Sequence, residues 1–348
     1  MKIQYRLPAQ VTVTVLVCVV AFAQAQTSAR AWGAKGHHLI NGLAAKSLLA
    51  SVPAFLRTPR AVGTITYLGL ELDLLKGAGT EWDDSLDPGH YVDLIGDGTI
   101  EGGLRLDSLP PTREAYDTQL RKAGYDEYKA GFLPYSIVEG WQQLRMDFAY
   151  WRVDHYEIHA ANTMAKRAVA LERAAIDENL IVRDAGVWGH YVADASQPLH
   201  VSVHFNGWGH YPNPHRYSNS PHLHDLFETD FVNRYVTEPD VARRMVAPPA
   251  LSAPGLITDV TILHEVERYL AGSNATVPAL YQLEKSGGFK NHTLLAETFA
   301  AERLAYGASE LRTLIVWAWG DSLNETIGDD APQRVRDIVK GHVQYRGW

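Results

Sequence analysis

The sequence predicts an all-α protein that folds as a single multi-helix domain with long functional loops. Two observations support this fold class: apolar residues recur at three- and four-residue intervals along most of the chain, and alternating strand patterns are scarce. The first helical segment is His38–Leu49, where Leu39, Ile40 and Leu43 follow the helical interval. No repeat or low-complexity linker divides the sequence, so one domain is expected over residues 32–348.

The remaining helices and loops are predicted in chain order. Helices are expected over Ser136–Ala175, with room for one break, and over Glu178–Ser196, His222–Val236, Asp259–Ala271, Thr293–Trp319 and Pro332–Val343. The second of these should end or kink before Pro198, because proline cannot continue a helix. Two loops are rich in Gly, Asp, Asn or Pro, namely Gly77–Pro110 and Val201–Pro221. Long loops in a helical domain are usually functional or disordered.

Residues 1–31 resemble an export signal. Lys2 and Arg6 precede an apolar stretch, and the sequence Ala-Arg-Ala ending at Ala31 is a small-x-small cleavage site. A second such site ends at Ala25, and a membrane anchor is the alternative to a cleaved signal. The apolar run is short for a membrane-spanning helix, so we expect a secreted or periplasmic protein.

Charge and cysteine content exclude two classes of protein. Residues 1–31 contain three basic and no acidic residues, so the remainder has 29 basic against 40 acidic residues. A broad basic surface for duplex DNA is therefore not expected, and a polyanionic substrate must be bound locally. The single cysteine, Cys18, lies in the signal, so the exported chain has no disulfide and must rely on its core and on bound metal.

Two His-carboxylate pairs predict a metal site. His190 precedes Asp194 by four residues, His224 precedes Glu228 by four, and the block HYVADASQPLH ends in His200. Residues four apart lie on the same face of a helix, so each pair directs an imidazole and a carboxylate to one point. Imidazole and carboxylate ligands together suit zinc.

Other candidates are weaker when each is considered alone. Asp83 and Asp84 lie in a Gly- and Pro-containing stretch, where aspartate is usually a turn residue. His155 and His159 are four apart but lack the glutamate that directly follows the first His in zinc peptidases. His204, His210, His215 and His222 fall in or beside the polar loop and are expected to be solvent-exposed or near substrate. His222 competes with His224 as a ligand, but only His224 has a carboxylate four residues later.

The order of these motifs resembles that of the single-strand-specific zinc nucleases of fungi and plants. The motifs are WGAKGH from Trp32 to His37, WDD ending at Asp84, HYVD from His90 to Asp93, HYVADASQPLH, and His224 with Glu228. The same layout with altered spacing occurs in the bacterial zinc-dependent phospholipases C. The resemblance covers about residues 32–235.

The resemblance implies a trinuclear zinc centre. One zinc would be held by Asp84, His90, His190 and Asp194, the second by Asp194, His37 and the backbone amine and carbonyl of Trp32, and the third by His200, His224 and Glu228. Asp194 and Asp84 are the expected catalytic carboxylates, with Asp194 bridging two ions. Only cleavage after Ala31 would free the Trp32 amine as a ligand.

The resemblance also implies a secreted phosphodiesterase that hydrolyses single-stranded RNA and DNA to 5′-phosphorylated products, with 3′-nucleotidase activity as an extension. Tyr91 matches an aromatic ring that stacks on a base, and Asp93 matches a residue of the substrate pocket. Asp87 stands where nucleases usually have arginine, and Glu228 is closer to the phospholipase pattern. Phospholipase C activity on phospholipid headgroups and a non-enzymatic zinc-binding protein are the alternatives. No stable protein partner is implied.

Overall fold

A computed structural model of the chain describes residues 32–75, 86–247, 259–329 and 331–345. The predicted signal at residues 1–31 lies outside the described residues, as do Asp83 and Asp84. The described residues are almost entirely helical, which confirms the all-α prediction. Among their helices, none combines the length and the apolar character needed to cross a membrane.

The helices follow in this order: α1 Ala34–Lys46, α2 Pro59–Leu68, α3 Arg113–Lys122, α4 Glu127–Ala130, α5 Leu133–Ala160, α6 Met164–Asp194, α7 Leu223–Asp225, α8 Val232–Tyr235, α9 Glu238–Ala242, α10 Asp259–Asn274, α11 Val277–Lys285, α12 Leu294–Asp321 and α13 Val335–Val339. A π-helical turn, Leu226–Phe231, joins α7 to α8 without a break. Short 3-10 turns cover Ala54–Arg57, Asp73–Leu75, Asp87–His90, Leu106–Ser108, Pro198–Val201 and Ser322–Asn324.

The long helices α5 and α6 form a hairpin whose turn lies earlier than predicted. The break falls at residues 161–163, where the Thr163 side chain accepts a hydrogen bond from the Lys166 backbone N–H and caps α6. The predicted boundary between Ala175 and Glu178 is wrong, because no proline interrupts the sequence there and the helix continues to Asp194. The carboxyl end of α6 is thereby placed in the protein interior.

Helix α12 runs through the centre of the domain. It is buried over most of its length and contacts α1, α5 and α6. A helix that is apolar on nearly all sides is stable only when other elements cover it. The packing of α1 and α6 against α12 fixes the two helices that carry the first predicted metal ligands.

The C-terminal prediction is only partly correct. A helix was expected over Pro332–Val343. Instead, Gln333–Arg334 forms a two-residue strand that pairs antiparallel with Thr326–Ile327, and the short helix α13 follows it. Five further helices, α2, α3, α4, α9 and α11, lie outside the predicted helical segments. These short helices have few turns over which an apolar interval can be recognised.

Candidate metal centre

Two helices bring the first ligand group together. Helix α6 presents His190 and Asp194 one turn apart, and α1 presents His37 from the opposite side. The close approach of the helices depends on Gly189, because a Cβ at that position would lie 2.7 Å from the side-chain nitrogen of Asn41. The Asn41 amide in turn donates hydrogen bonds to the carbonyls of Ile65 and Gly186, which connects α1, α2 and α6.

Asp194 is the centre of this first group. Its Oδ1 lies 3.5 Å from His37 Nε2, and its Oδ2 lies 2.9 Å from His90 Nδ1 and 3.3 Å from His190 Nε2. The imidazoles of His37 and His190 stack with ring centroids 4.0 Å apart. The two oxygens of one carboxylate therefore face different histidines, as a bridge between two metal ions requires.

Asp73 is a member of the centre that the sequence analysis did not identify. Its Oδ1 lies 3.7 Å from His190 Nε2 and its Oδ2 lies 3.9 Å from His37 Nε2. Asp73, His90 and His190 form one group whose ligand atoms lie within 4.8 Å of one another, and His37, His190 and Asp194 form a second. Asp73 stands in the apolar run LELDLL, where nothing in the sequence marks it as a ligand.

A third group consists of His200, His224 and Glu228. All three side chains are buried, and their ligand atoms also lie within 4.8 Å of one another. Nε2 of His224 lies 2.9 Å and Nε2 of His200 lies 3.8 Å from Glu228 Oε2. His200 is held by the 3-10 turn Pro198–Val201 and Glu228 by the π-helical turn. Three groups of N and O ligands, all buried except for the partly exposed Asp73, are therefore able to hold metal ions.

Backbone carbonyls fix the tautomers of three of these histidines. Nδ1 of His190 lies 2.7 Å from the Gly69 carbonyl, Nδ1 of His200 lies 2.9 Å from the His90 carbonyl, and Nδ1 of His224 lies 3.2 Å from the Phe205 carbonyl. A carbonyl only accepts hydrogen bonds, so each Nδ1 carries a proton and donates it. In the neutral ring, Nε2 then presents its lone pair to the ligand group, an arrangement typical of metal-binding histidines.

Asp194 is fully buried, yet its environment favours the ionised form. Burial alone would raise its pKa, but the positive charges of His190 and His200 in their protonated forms, with hydrogen bonds from His190 and His90, lower the pKa well below its usual range. A buried carboxylate surrounded by histidines is a strong acceptor for a cation. The result is a buried, ionised carboxylate between α1 and α6.

Trp32 lies directly beside this centre. Its indole N–H donates to the Ala193 carbonyl at 3.1 Å and to the Ser196 hydroxyl at 2.9 Å, and its side chain is fully buried. A Cβ at Gly36 would approach the Trp32 Cβ to 2.8 Å, so the first turn of α1 accepts only glycine there without a shift. The side chain is thus held against the end of α6, next to Asp194.

The two predicted substrate-binding residues lie on the segment that carries His90. Tyr91 is partly exposed, and its hydroxyl donates to the Tyr128 carbonyl. Asp93 is buried, and burial together with the charge of Glu101 raises the pKa of Asp93 well above its usual range. The raised pKa favours the protonated form of Asp93, in which the carboxyl group is able to donate a hydrogen bond.

The other histidines divide clearly. His155, His159 and His222 are exposed, which separates His222 from the buried His224. His204 is not solvent-exposed: it is buried, stacks on Trp208 with ring centroids 3.9 Å apart, and has a pKa lowered by burial. Asp84, the remaining predicted ligand, lies outside the described residues.

Comparison of the chain with protein-family models, with curated proteins and with solved structures gave no match. The functional assignment therefore depends on the geometry of the metal centre and on the motif resemblance.

Proposed function

We propose that this protein is an exported zinc-dependent phosphodiesterase that hydrolyses single-stranded RNA and DNA and leaves 5′-phosphates. The observation that carries the proposal is the arrangement around Asp194, where buried histidines on three sides face a single ionised carboxylate. A third group, His200 with His224 and Glu228, lies in the same region, since His200 Nδ1 is 4.0 Å from Asp194 Oδ2.

The donor set suits zinc. Imidazole nitrogens and carboxylate oxygens without cysteine are typical of catalytic zinc sites, whereas Mg²⁺ and Ca²⁺ prefer oxygen ligands alone. We assign His37 and Asp194 to one ion, with the Trp32 backbone as a further ligand, His90, His190 and Asp194 to the second, and His200, His224 and Glu228 to the third. Asp73 is suited to the second ion, either in place of Asp84 or together with it. When bound, the ions would supply positive charge for the phosphate and lower the pKa of a nearby water.

Residues of the chain itself would then bind and orient the substrate. The ring of Tyr91 is available for stacking on a base, and Asp93, whose raised pKa favours its protonated form, is suited to donate a hydrogen bond to that base. A single strand can present the face of an unpaired base to the Tyr91 ring, whereas a duplex must first unstack that base. A 3′-nucleotidase activity would follow from the same contacts.

Phospholipase C activity is the second candidate. Glu228 favours it, because glutamate at this position is closer to the phospholipase pattern, whereas Asp87 weakens the nuclease assignment without favouring a lipid substrate. A non-enzymatic zinc-binding protein is less favoured, because storage tracts are clustered and of low complexity, whereas these ligands come from distant segments and are buried.

Incubation of the zinc-loaded protein with denatured DNA, RNA and phosphatidylcholine tests the proposal. We expect shortened strands with 5′-phosphates from both nucleic acids and no diacylglycerol. His155→Ala is a suitable control, because it removes an exposed histidine outside the centre. Diacylglycerol as the only product would replace the nuclease assignment with the phospholipase, and inactivity on all three substrates would favour the binding protein.

A further inference from the structure

Gln197 lies between the Asp194 end of the metal centre and its third ligand group. It is fully buried and precedes the 3-10 turn that carries His200. Its backbone N–H donates to the Asp194 carbonyl at 2.9 Å, and its own carbonyl accepts from the His200 N–H at 3.0 Å. The backbone of Gln197 is therefore hydrogen-bonded to the backbones of both Asp194 and His200.

The side chain of Gln197 adds a third connection. Its Oε1 accepts a hydrogen bond from the Leu199 N–H at 2.7 Å, so the other end of the amide, Nε2, must face Glu228. Nε2 donates to Glu228 Oε2 at 3.0 Å. The amide orientation is unambiguous, because the Leu199 N–H is able only to donate. The same Oε2 lies 2.9 Å from His224 Nε2, so Gln197 contacts the oxygen that faces the histidine.

We propose that Gln197 is a positioning residue that orients the Glu228 carboxylate for the third metal ion and couples that ion to Asp194. The proposal rests on the metal centre of the proposed function. A hydrogen bond to a ligating carboxylate fixes its rotamer before the ion arrives, and it is charge-assisted and buried. Without the amide donor, the carboxylate would rotate among several orientations and bind the ion less tightly.

Two substitutions distinguish positioning of Glu228 from a purely structural role, in which Gln197 only caps the 3-10 turn through the Leu199 N–H. Gln197→Met has a similar length but removes both side-chain hydrogen bonds. Gln197→Glu keeps an acceptor for the Leu199 N–H but replaces the donor to Glu228 with an acceptor. Gln143→Met is the matched control, because Gln143 Nε2 donates to a buried carboxylate, Asp147 Oδ1 at 2.8 Å, outside the metal centre.

The experiment measures zinc per chain by mass spectrometry after equilibration against increasing chelator. We expect both Gln197 variants to lose one zinc equivalent at a chelator concentration about 10–100-fold lower than the wild type, a range typical for loss of an outer hydrogen-bond partner. Gln143→Met should release zinc as the wild type does. Wild-type zinc retention in both Gln197 variants would overturn the proposal, and so would a wild type without zinc.

Thermal unfolding of the metal-free proteins tests a purely structural role. If Gln197 only caps the turn, Gln197→Met lowers the metal-free midpoint while Gln197→Glu keeps wild-type zinc retention, and that result contradicts positioning. The Glu variant also keeps the test available if Gln197→Met fails to fold. Zinc is counted independently of turnover, so a zinc-loaded wild type that is inactive on every phosphodiester would refute the proposed function and leave this inference intact.

Discussion

Nε2 of His224 lies 2.9 Å from Oε2 of Glu228, and both side chains are buried on one continuous helical segment. Glu228 lies within a π-helical turn, a rare element that is frequent at functional sites because it changes the direction in which side chains point. The wider turn directs Glu228 both to His224 and to the Gln197 amide. The four-residue spacing in the sequence therefore marks a genuine pair.

Replacing His224 by Ala should remove the third metal ion. The change deletes one of three protein ligands, so we expect the zinc content to fall by one equivalent and phosphodiesterase turnover to fall by about 100-fold or more, as for loss of charge stabilisation at the reacting centre. His222→Ala is the matched control, since His222 is two residues away but exposed. Equal losses in the two variants would show that the assignment of His224 is mistaken.

Most residues of the three candidate ligand groups could be picked out from the sequence because they occur in recognisable motifs. His190 with Asp194 and His224 with Glu228 are helical pairs, and the structure places each pair in a buried ligand group. Asp73 could not be predicted in this way. It is a single carboxylate after α2, and only the tertiary packing of α2 against α6 brings it to His190.

The fold was predictable in class but not in every boundary. Long helices such as α12 repeat the apolar interval often enough to be recognised, whereas short helices such as α4 do not. The turn between α5 and α6 is marked by the Thr163 cap, a local signal that the predicted boundary near Glu178 did not take into account. Burial of His204 depends on Trp208, which a polar loop composition does not predict.

Removal of zinc should destabilise the folded protein. Each ion that binds only the folded state adds about 2.7 kcal/mol when its free concentration is 100 times the dissociation constant. We expect close to three zinc per chain by mass spectrometry and a lower midpoint of thermal unfolding after chelation. Addition of zinc should restore the midpoint. A midpoint that is insensitive to chelator, in a protein that contains zinc, would contradict a buried centre between α1 and α6.

Asp194→Asn should abolish turnover. The substitution keeps the shape of the side chain but removes the charge that faces His37, His90 and His190. We expect a loss of at least about 100-fold in turnover together with weaker binding of two zinc ions, as measured by chelator competition. Asp225→Asn is the control, because Asp225 is exposed and belongs to none of the three ligand groups found among the described residues. Retained activity in Asp194→Asn would refute a shared carboxylate.

Two carboxyl pairs join α5 to α6 away from the metal centre. Asp147 on α5 faces Asp184 on α6, and two turns further along Asp154 faces Asp177. Burial, together with the paired Asp184, raises the pKa of Asp147 to about 7, although the Gln143 amide and Arg183 oppose the shift. Burial and the neighbouring Asp154 likewise raise the pKa of Asp177 to about 7. Each pair is therefore stable when it shares a proton.

Asp147→Asn should make the protein more stable than the wild type at alkaline pH. The pKa of Asp147 is higher in the folded state than in the unfolded state. Its contribution to folding stability is therefore fully present below about pH 4, decreases as the pH rises to about 7, and is lost above that. Asparagine cannot ionise, so the difference in unfolding midpoint between variant and wild type should grow over this interval and then stay constant. One kcal/mol corresponds to about 2–4 °C in a chain of moderate size. Both proteins have the same metal centre, so the difference between their unfolding midpoints from pH 5 to pH 9 reports only the effect of the Asp147–Asp184 pair. Midpoint curves that stay parallel over this range would show that Asp147 and Asp184 do not share a proton.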